Sequence, residues 1–283
     1  MSINVTQAAF AGFAQIRRRP SLLIYWGGLM IGAWLLAGLV LGAVVWMGGG
    51  FGRGESPEAV LAGTTLFVWI VQVPMGLLLL SALRNASYRD ILHPRQRSVG
   101  ALRLGSDELR VLGVTVIMGV LLLLALWMPR LFLMLLVVGL SGAPVLAGLV
   151  MVVGTIAHWA GLAFLLVATS LAPVMTYAEK RLVLFESWSM VRPIFWPLVG
   201  VYLLVLLVFA VLMLVIGGAV AGALAAAGFS EASSEPSAAT AAILLLALFL
   251  VWTVLAAFLN ALLNGVHADV YRQLKPSDVA QVF

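Results

Sequence analysis

The sequence predicts an all-α, polytopic membrane protein. Six transmembrane helices are expected as three units, each an interfacial elbow helix followed by a helical hairpin, with the N- and C-termini cytoplasmic. Three observations lead there. Of 283 residues, 63% are hydrophobic and 10% charged, with a mean hydropathy of +1.13, whereas a soluble domain carries about 25% charged residues. The apolar residues gather in runs longer than the roughly 18 residues of a membrane-helix candidate, without the alternation of barrel strands. The basic residues fall almost wholly to one side of those runs.

The first run, 21–47, follows Arg17-Arg18-Arg19. At about 27 residues it exceeds the roughly 7–15-residue core of a cleavable signal peptide, so it reads as a span. Ahead of it, VTQAAFAGFAQIRRRP sets Val5, Ala9, Phe13 and Ile16 on one stripe, the first elbow. The second run, 59–83, carries Gln72 beside the helix-bending Pro74. The third, 111–140, is too long for one straight crossing, and WMPRLF (127–132) is where it is expected to reach the far surface. Trp127 suits the interfacial belt, Pro129 breaks a helix and Arg130 prefers headgroups. Residues 131–143 are then expected as a re-entrant or surface piece before the SGAP turn. The second elbow, SVGALRLGSDELR (98–110), offers Ser106 as an N-cap with Asp107 and Glu108 in the first turn. Runs four to six are 145–177, 194–227 and 241–266.

The bases decide the number of spans. With six, the inner side holds Arg17–Arg19, the six bases of the 84–110 loop, Lys180, Arg181, Arg192, Arg272 and Lys275, against Arg53 and Arg130 outside. Splitting 111–177 into three spans would carry the last five of those bases to the far side, so the positive-inside rule selects six. The net charge of +5 divides into +7 inside and −2 outside. A pI of about 10.1 is thus the mark of a face turned to anionic lipid rather than to nucleic acid. Without cysteine, disulfides and thiolate metal sites are excluded.

The stretch LAPVMTYAEKRLVLFESWSMVRPIFWPLVG, 171–200, is a charged island between the fourth and fifth runs. Within it Leu182, Phe185, Trp188 and Val191 recur every three residues, set against Lys180, Arg181, Glu186 and Ser189. That spacing fits a third elbow in the headgroup layer, with Phe185 and Trp188 as anchors and Lys180, Arg181 and Arg192 facing phosphates. An ordered loop is the alternative. Tyr88, Tyr177 and Tyr271 close the three pairs of spans at intervals of 89 and 94 residues. The chain therefore reads as one transmembrane domain, 1–283, of three pseudo-repeats, about 5–90, 98–178 and 180–275.

The run ESWSMVRPIFWPLVG resembles the Ser-Trp…Arg…Trp elbow of the membrane-domain family named after glycerophosphoryl diester phosphodiesterases and of its stand-alone bacterial relatives, and LRLGSDELRVLG is similar to the equivalent elbow of proteobacterial members. The resemblance implies a six-span bacterial membrane domain. In fused members the phosphodiesterase activity belongs to a separate soluble domain, which nothing in this sequence encodes.

Candidate chemistry is sparse. Every Asp, Glu, Lys and Arg can be placed in a loop or at an interface, which disfavours an ion-coupled transporter. GLSG (139–142) and AHWAGL (157–162) match the serine and histidine contexts of rhomboid proteases, but Ser141 and His158 are too close in sequence for the intervening span and about 25 Å apart on one helix. Gln72, His158, Asn260 and Asn264 are the intramembrane polar candidates, with Asn260, Asn264 and His267 on one face. Each reads either as interhelical glue or as a ligand contact. His93, His267 and Asp269 form no convincing metal set. The pairs Gly28/Gly32, Gly38/Gly42 and Gly218/Gly222 allow close helix approach within the chain or between copies.

The functional expectation is a non-enzymatic integral protein of the bacterial inner membrane. It would engage anionic lipid, or a membrane or cytoplasmic protein partner, through basic cytoplasmic elbows, with no catalytic residue, cofactor, metal or nucleic acid. The alternative is a permease-like subunit of an ABC-type transporter, similar to six-span exporter permeases that couple to an ATPase through an elbow after the second span.

Overall fold

The computed structural model describes residues 3–47, 65, 68–93, 105–226 and 238–275, which are helical apart from short turns. Six helical segments are long and apolar enough to cross a membrane. Their boundaries follow from caps and prolines. Helix α1, Val5–Arg18, opens on Asn4, whose side-chain oxygen accepts the Gln7 N–H at 2.9 Å. It closes on Arg17 and Arg18, at the end where the helix dipole favours cations. Pro20 drives Arg19 out of the helical region (φ −145°, ψ 73°), and the chain turns into α2, Ser21–Met47.

A π-helical turn, Val68–Gln72, leads into α3, Val73–Leu92, with Pro74 in its first turn, where the missing N–H costs little. Helix α4 runs unbroken from Ser106 to Gly139, and α5 from Pro144 to Thr169. Two expectations are corrected here. Ser106 is already the first helical residue, preceded by an extended Gly105 cap. Residues 131–139 are not a re-entrant piece, because the helix passes straight through Pro129; one lost backbone bond is tolerated in an apolar helix whose other bonds are internal. The stretch 98–104 of the second elbow, and residues 48–64 and 227–237, lie outside the described residues.

Pro173 lacks the N–H that would bond Thr169, so the fourth span breaks into α5 and α6, Ala172–Glu179. Thr169 and Ser170 fold their hydroxyls back onto the Leu165 and Val167 carbonyls. Lys180, at φ 53°, then ends α6 in the left-handed region, a non-glycine use of the position that commonly terminates helices. Helix α7, Glu186–Val191, passes through a 3-10 turn, Arg192–Ile194, into α8, Phe195–Ala226. Helix α9, Ala238–Leu274, completes the chain.

Packing is concentrated at one end of the bundle. The buried apolar residues of α8, Leu198, Val201 and Val205, lie near its start, and those of α4, Val111, Val114 and Met118, in its first half. Those of α3 and α9 fall toward their ends, from Leu83 to Leu92 and from Leu255 to Leu274. Away from that end, apolar side chains stand bare, as at Leu135, Val145 and Leu214. Helix α1 is built into the packed end, its Ala8 and Ala9 buried and Val5, Phe13 and Ile16 lying against the core. It runs antiparallel along α9: Asn4 N–H donates to Gln273 at 2.8 Å, Gly12 lies on Leu262 and Gly265, and Phe13 meets Phe258 edge-on. The start of α1 and the end of α9 thus lie side by side.

Candidate functional site

The packed end presents two arrangements of polar residues. The outer one is the elbow between α6 and α8. Buried Thr176 clamps it, its hydroxyl accepting the Val183 N–H and donating to the Val183 carbonyl, each at 3.1 Å. Ser187 donates to the Ala168 carbonyl at 3.0 Å, and Trp188 stacks among Phe164 and Phe195. With its inner face so held, the elbow presents Lys180, Leu182, Phe185, Arg192 and Trp196 outward; Phe185 is 76% and Trp196 77% exposed. Arg181 behaves otherwise. Its guanidinium bridges Glu179 and Glu186, and their hydrogen bonds raise its pKa. Glu179 also holds Lys275, tying the end of α9 to the elbow at 3.0 Å.

Other charges at this end are knitted together as well. Arg19 pairs with Asp90 at 2.7 Å, and Gln15 reaches the same carboxylate. Arg89 and Glu108 form an ion pair inside the bundle, both side chains 7% exposed. Beside them His93 packs against Tyr177 at 6.0 Å. Burial, then the charges of Lys180 and Arg89, hold its pKa below the ordinary histidine value.

The inner arrangement is a polar layer deeper in the bundle. Arg84 of α3 reaches across to Thr115 of α4, Nη1 to hydroxyl 3.0 Å. Tyr202 of α8 and His267 of α9 meet ring to ring at 6.0 Å. Arg84 Nε, the Tyr88 hydroxyl, His267 Nδ1 and both polar atoms of the Asn85 amide are buried without a hydrogen-bond partner. The expectation that residues from 84 onward form a loop is corrected for Arg84. Arg84 belongs to a span-length apolar helix, Ile70–Leu92, not to a loop. Hydropathy ended the second run at Leu83, but packing against α4 and α9 carries the helix onward.

Of the four intramembrane candidates, the structure brings together Asn260 and Asn264 and leaves Gln72 and His158 apart. Gln72 is half-buried at the π-to-α junction. His158 is buried on α5 with Nε2 unpartnered. Ser141 lies in the turn before Pro144, about 20 Å from His158 by helical rise, so the two do not meet. Asn264 donates to Asn260 at 2.5 Å on α9, a bond within one helix rather than between two. Within the chain the paired glycines make no close approach: an added Cβ at Gly28, Gly32, Gly38, Gly42, Gly218 or Gly222 meets nothing within 4 Å. The close crossing is made by Gly12 and Gly265, 253 residues apart in a pattern no local motif reveals. Arg84, Tyr88 and Tyr202 were also missed. The one available signal was an arginine followed four residues later by tyrosine at the end of an apolar run.

The chain matches no protein-family model, no curated protein and no solved structure.

Proposed function

We propose that the chain is a non-enzymatic, multi-pass protein of the bacterial inner membrane, with both termini cytoplasmic, whose elbow lies on the inner leaflet and engages anionic lipid. The observation that carries this reading is the outer face of the elbow. There Leu182, Phe185 and Trp196 stand exposed beside Lys180 and Arg192 on a segment whose inner face is hydrogen-bonded and buried. Large apolar side chains flanked by bases suit the headgroup boundary, where each base is worth about 1 kcal/mol next to an anionic leaflet. Arg181, already neutralised by two carboxylates, contributes to the shape of the elbow rather than to this attraction. The elbow helices that precede α2 and α8 also support the three-unit arrangement and the resemblance to stand-alone membrane domains.

Hydrogen exchange in nanodiscs of zwitterionic lipid, with and without phosphatidylglycerol, tests the reading. Exchange over 180–192 should slow when the anionic lipid is present. The slowing should be lost in Lys180→Gln/Arg192→Gln and kept in Arg181→Gln, while Phe185→Ser should raise exchange in both lipids. Exchange indifferent to lipid charge in the unaltered chain would refute it.

A further inference from the structure

Every carboxylate among the described residues is already committed to a base. Asp90 is paired with Arg19, Asp107 with Arg110, Glu108 with Arg89, Glu179 with Arg181 and Lys275, Glu186 with Arg181, and Asp269 with Arg272. None of them serves Arg84. Its Nη1 meets the Thr115 hydroxyl, and its Nε is buried without a partner. A hydroxyl supplies a hydrogen bond but no countercharge, and a guanidinium does not lose its proton in a protein. Arg84 is half-buried on a span-length apolar helix, and a cation without a countercharge at such a place marks an ion or ligand site.

The surroundings fit an anion. The Tyr88 hydroxyl and His267 Nδ1 are buried and unpartnered, and the Tyr202 hydroxyl lies beside that of Ser170, whose own proton is given to the Val167 carbonyl. Arg84 is near enough for its charge to act on both Tyr88 and His267, and Tyr88 near enough to act on Tyr202. The hydroxyls donate, and so does Nδ1 in one of the two imidazole tautomers. Arg84, Thr115 and His267 share a depth, and Tyr88 stands one helical turn from Arg84 toward the packed end. Arg84 lies five residues before Arg89, Thr115 five after Arg110 and His267 five before Arg272. At 1.5 Å per residue, each is about 7.5 Å further into the bundle than the charged residue on its own helix.

We infer that this layer, Arg84 with Thr115, Tyr88, Tyr202 and His267, binds an oxyanion, the phosphate or carboxylate group of a ligand taken up from the packed end. Arginine recognises such groups through paired, charge-assisted N–H donors. The unpartnered atoms are shut off from solvent, so the anion enters when side chains of the layer rotate. The source is either a lipid headgroup of the adjoining leaflet or a free anion; the chemistry is the same. The inference does not depend on the elbow reading.

Thermal unfolding, followed by tryptophan fluorescence, separates the two sources. In phosphatidylcholine nanodiscs the protein is titrated with inorganic phosphate or acetate against chloride at constant ionic strength; in a second series phosphatidylglycerol replaces part of the phosphatidylcholine. The expected result is a saturable rise in Tm in at least one series, at least tenfold weaker in Arg84→Gln and Tyr202→Phe and unchanged in Arg17→Gln/Arg18→Gln. A rise with phosphate or acetate names a free anion, and one confined to phosphatidylglycerol names a lipid headgroup. No saturable rise in either series of the unaltered chain overturns the inference, as does a rise that Arg84→Gln leaves intact. Should Arg84→Gln fail to fold, Arg84→Lys and Tyr202→Phe carry the same readout, and a rise that both leave intact overturns it equally.

Discussion

Gly12 and Gly265 let two backbones touch where almost any side chain would hold them apart. A Cβ added at Gly12 would lie 2.5 Å from Leu262 Cα, and one added at Gly265 2.4 Å from Gly12 Cα, both against backbone that has no rotamer to yield. Gly12→Ala is therefore expected to destabilise the chain by about 1–3 kcal/mol, the range of overpacking. Gly28→Ala, with open space around it, should be neutral or slightly stabilising through helix propensity. Denaturant unfolding of both variants in matched micelles checks the contrast. His93 supplies a pH dependence. Because its folded pKa lies below the unfolded value of about 6.5, chiefly through burial, the unfolded chain binds more protons between the two. Its contribution to stability is thus present above about pH 6.5 and is lost as pH falls through the folded pKa. Unfolding midpoints should drop from pH 7.5 to 5.5, and His93→Gln should flatten that part of the profile.

At the scale of elements, the α6–α8 elbow contrasts a buried clamp with an exposed ion network. Thr176→Val keeps the shape of the side chain but leaves the buried Val183 N–H and carbonyl unpartnered, at about 1–3 kcal/mol for an unmet group. Arg181→Gln removes pairs that stand in water and contribute little to stability. Amide exchange over 181–191 should accelerate markedly in the first variant and little in the second; equal acceleration would mean that the ion network holds the elbow. The α4–α5 hairpin shows the limits of reading prolines. Pro129 stops a helix when water can take over the freed carbonyl and other structure competes, but an apolar segment beside α5 has no better alternative, and Leu133 packs over Gly154 while Arg130 lies over Trp159 at 5.2 Å.

For the whole molecule, the six-span pattern was legible because hydropathy acts on runs of about 20 residues and averages out local irregularity. The α1 stripe of Val5, Ala9, Phe13 and Ile16 was legible too, since periodicity reports which face will be buried. The polar layer was not. Arg84 stands four residues from Tyr88, but Thr115, Tyr202 and His267 come from three other helices, and only packing brings Thr115 to Arg84 and Tyr202 to His267. Charge assignment failed for the same reason: the sequence shows that bases and acids gather at one end, not which pairs form. Topology itself can be measured in a chain without cysteine. Single cysteines replacing Arg53 and Ser233 should label from outside the cell, and one replacing Arg97 only after permeabilisation. External labelling of a cysteine at Asp278 would reverse the proposed orientation.

The antiparallel seam between α1 and α9 also has a mechanical meaning. Because Asn4 and Gln273 lie side by side at its open end, a force drawing the two termini apart acts on one contact at a time, as in unzipping, and not on the whole seam in shear. The first event in a pulling experiment should therefore be a short, low-force release of α1, in which Gly12 passes Gly265 before Phe13 leaves Phe258, with every span still in the bilayer. Gly12→Ala should lower the force of that event without changing the length released, and a first event long enough to include α2 would mean that the seam is not the weakest joint in the molecule.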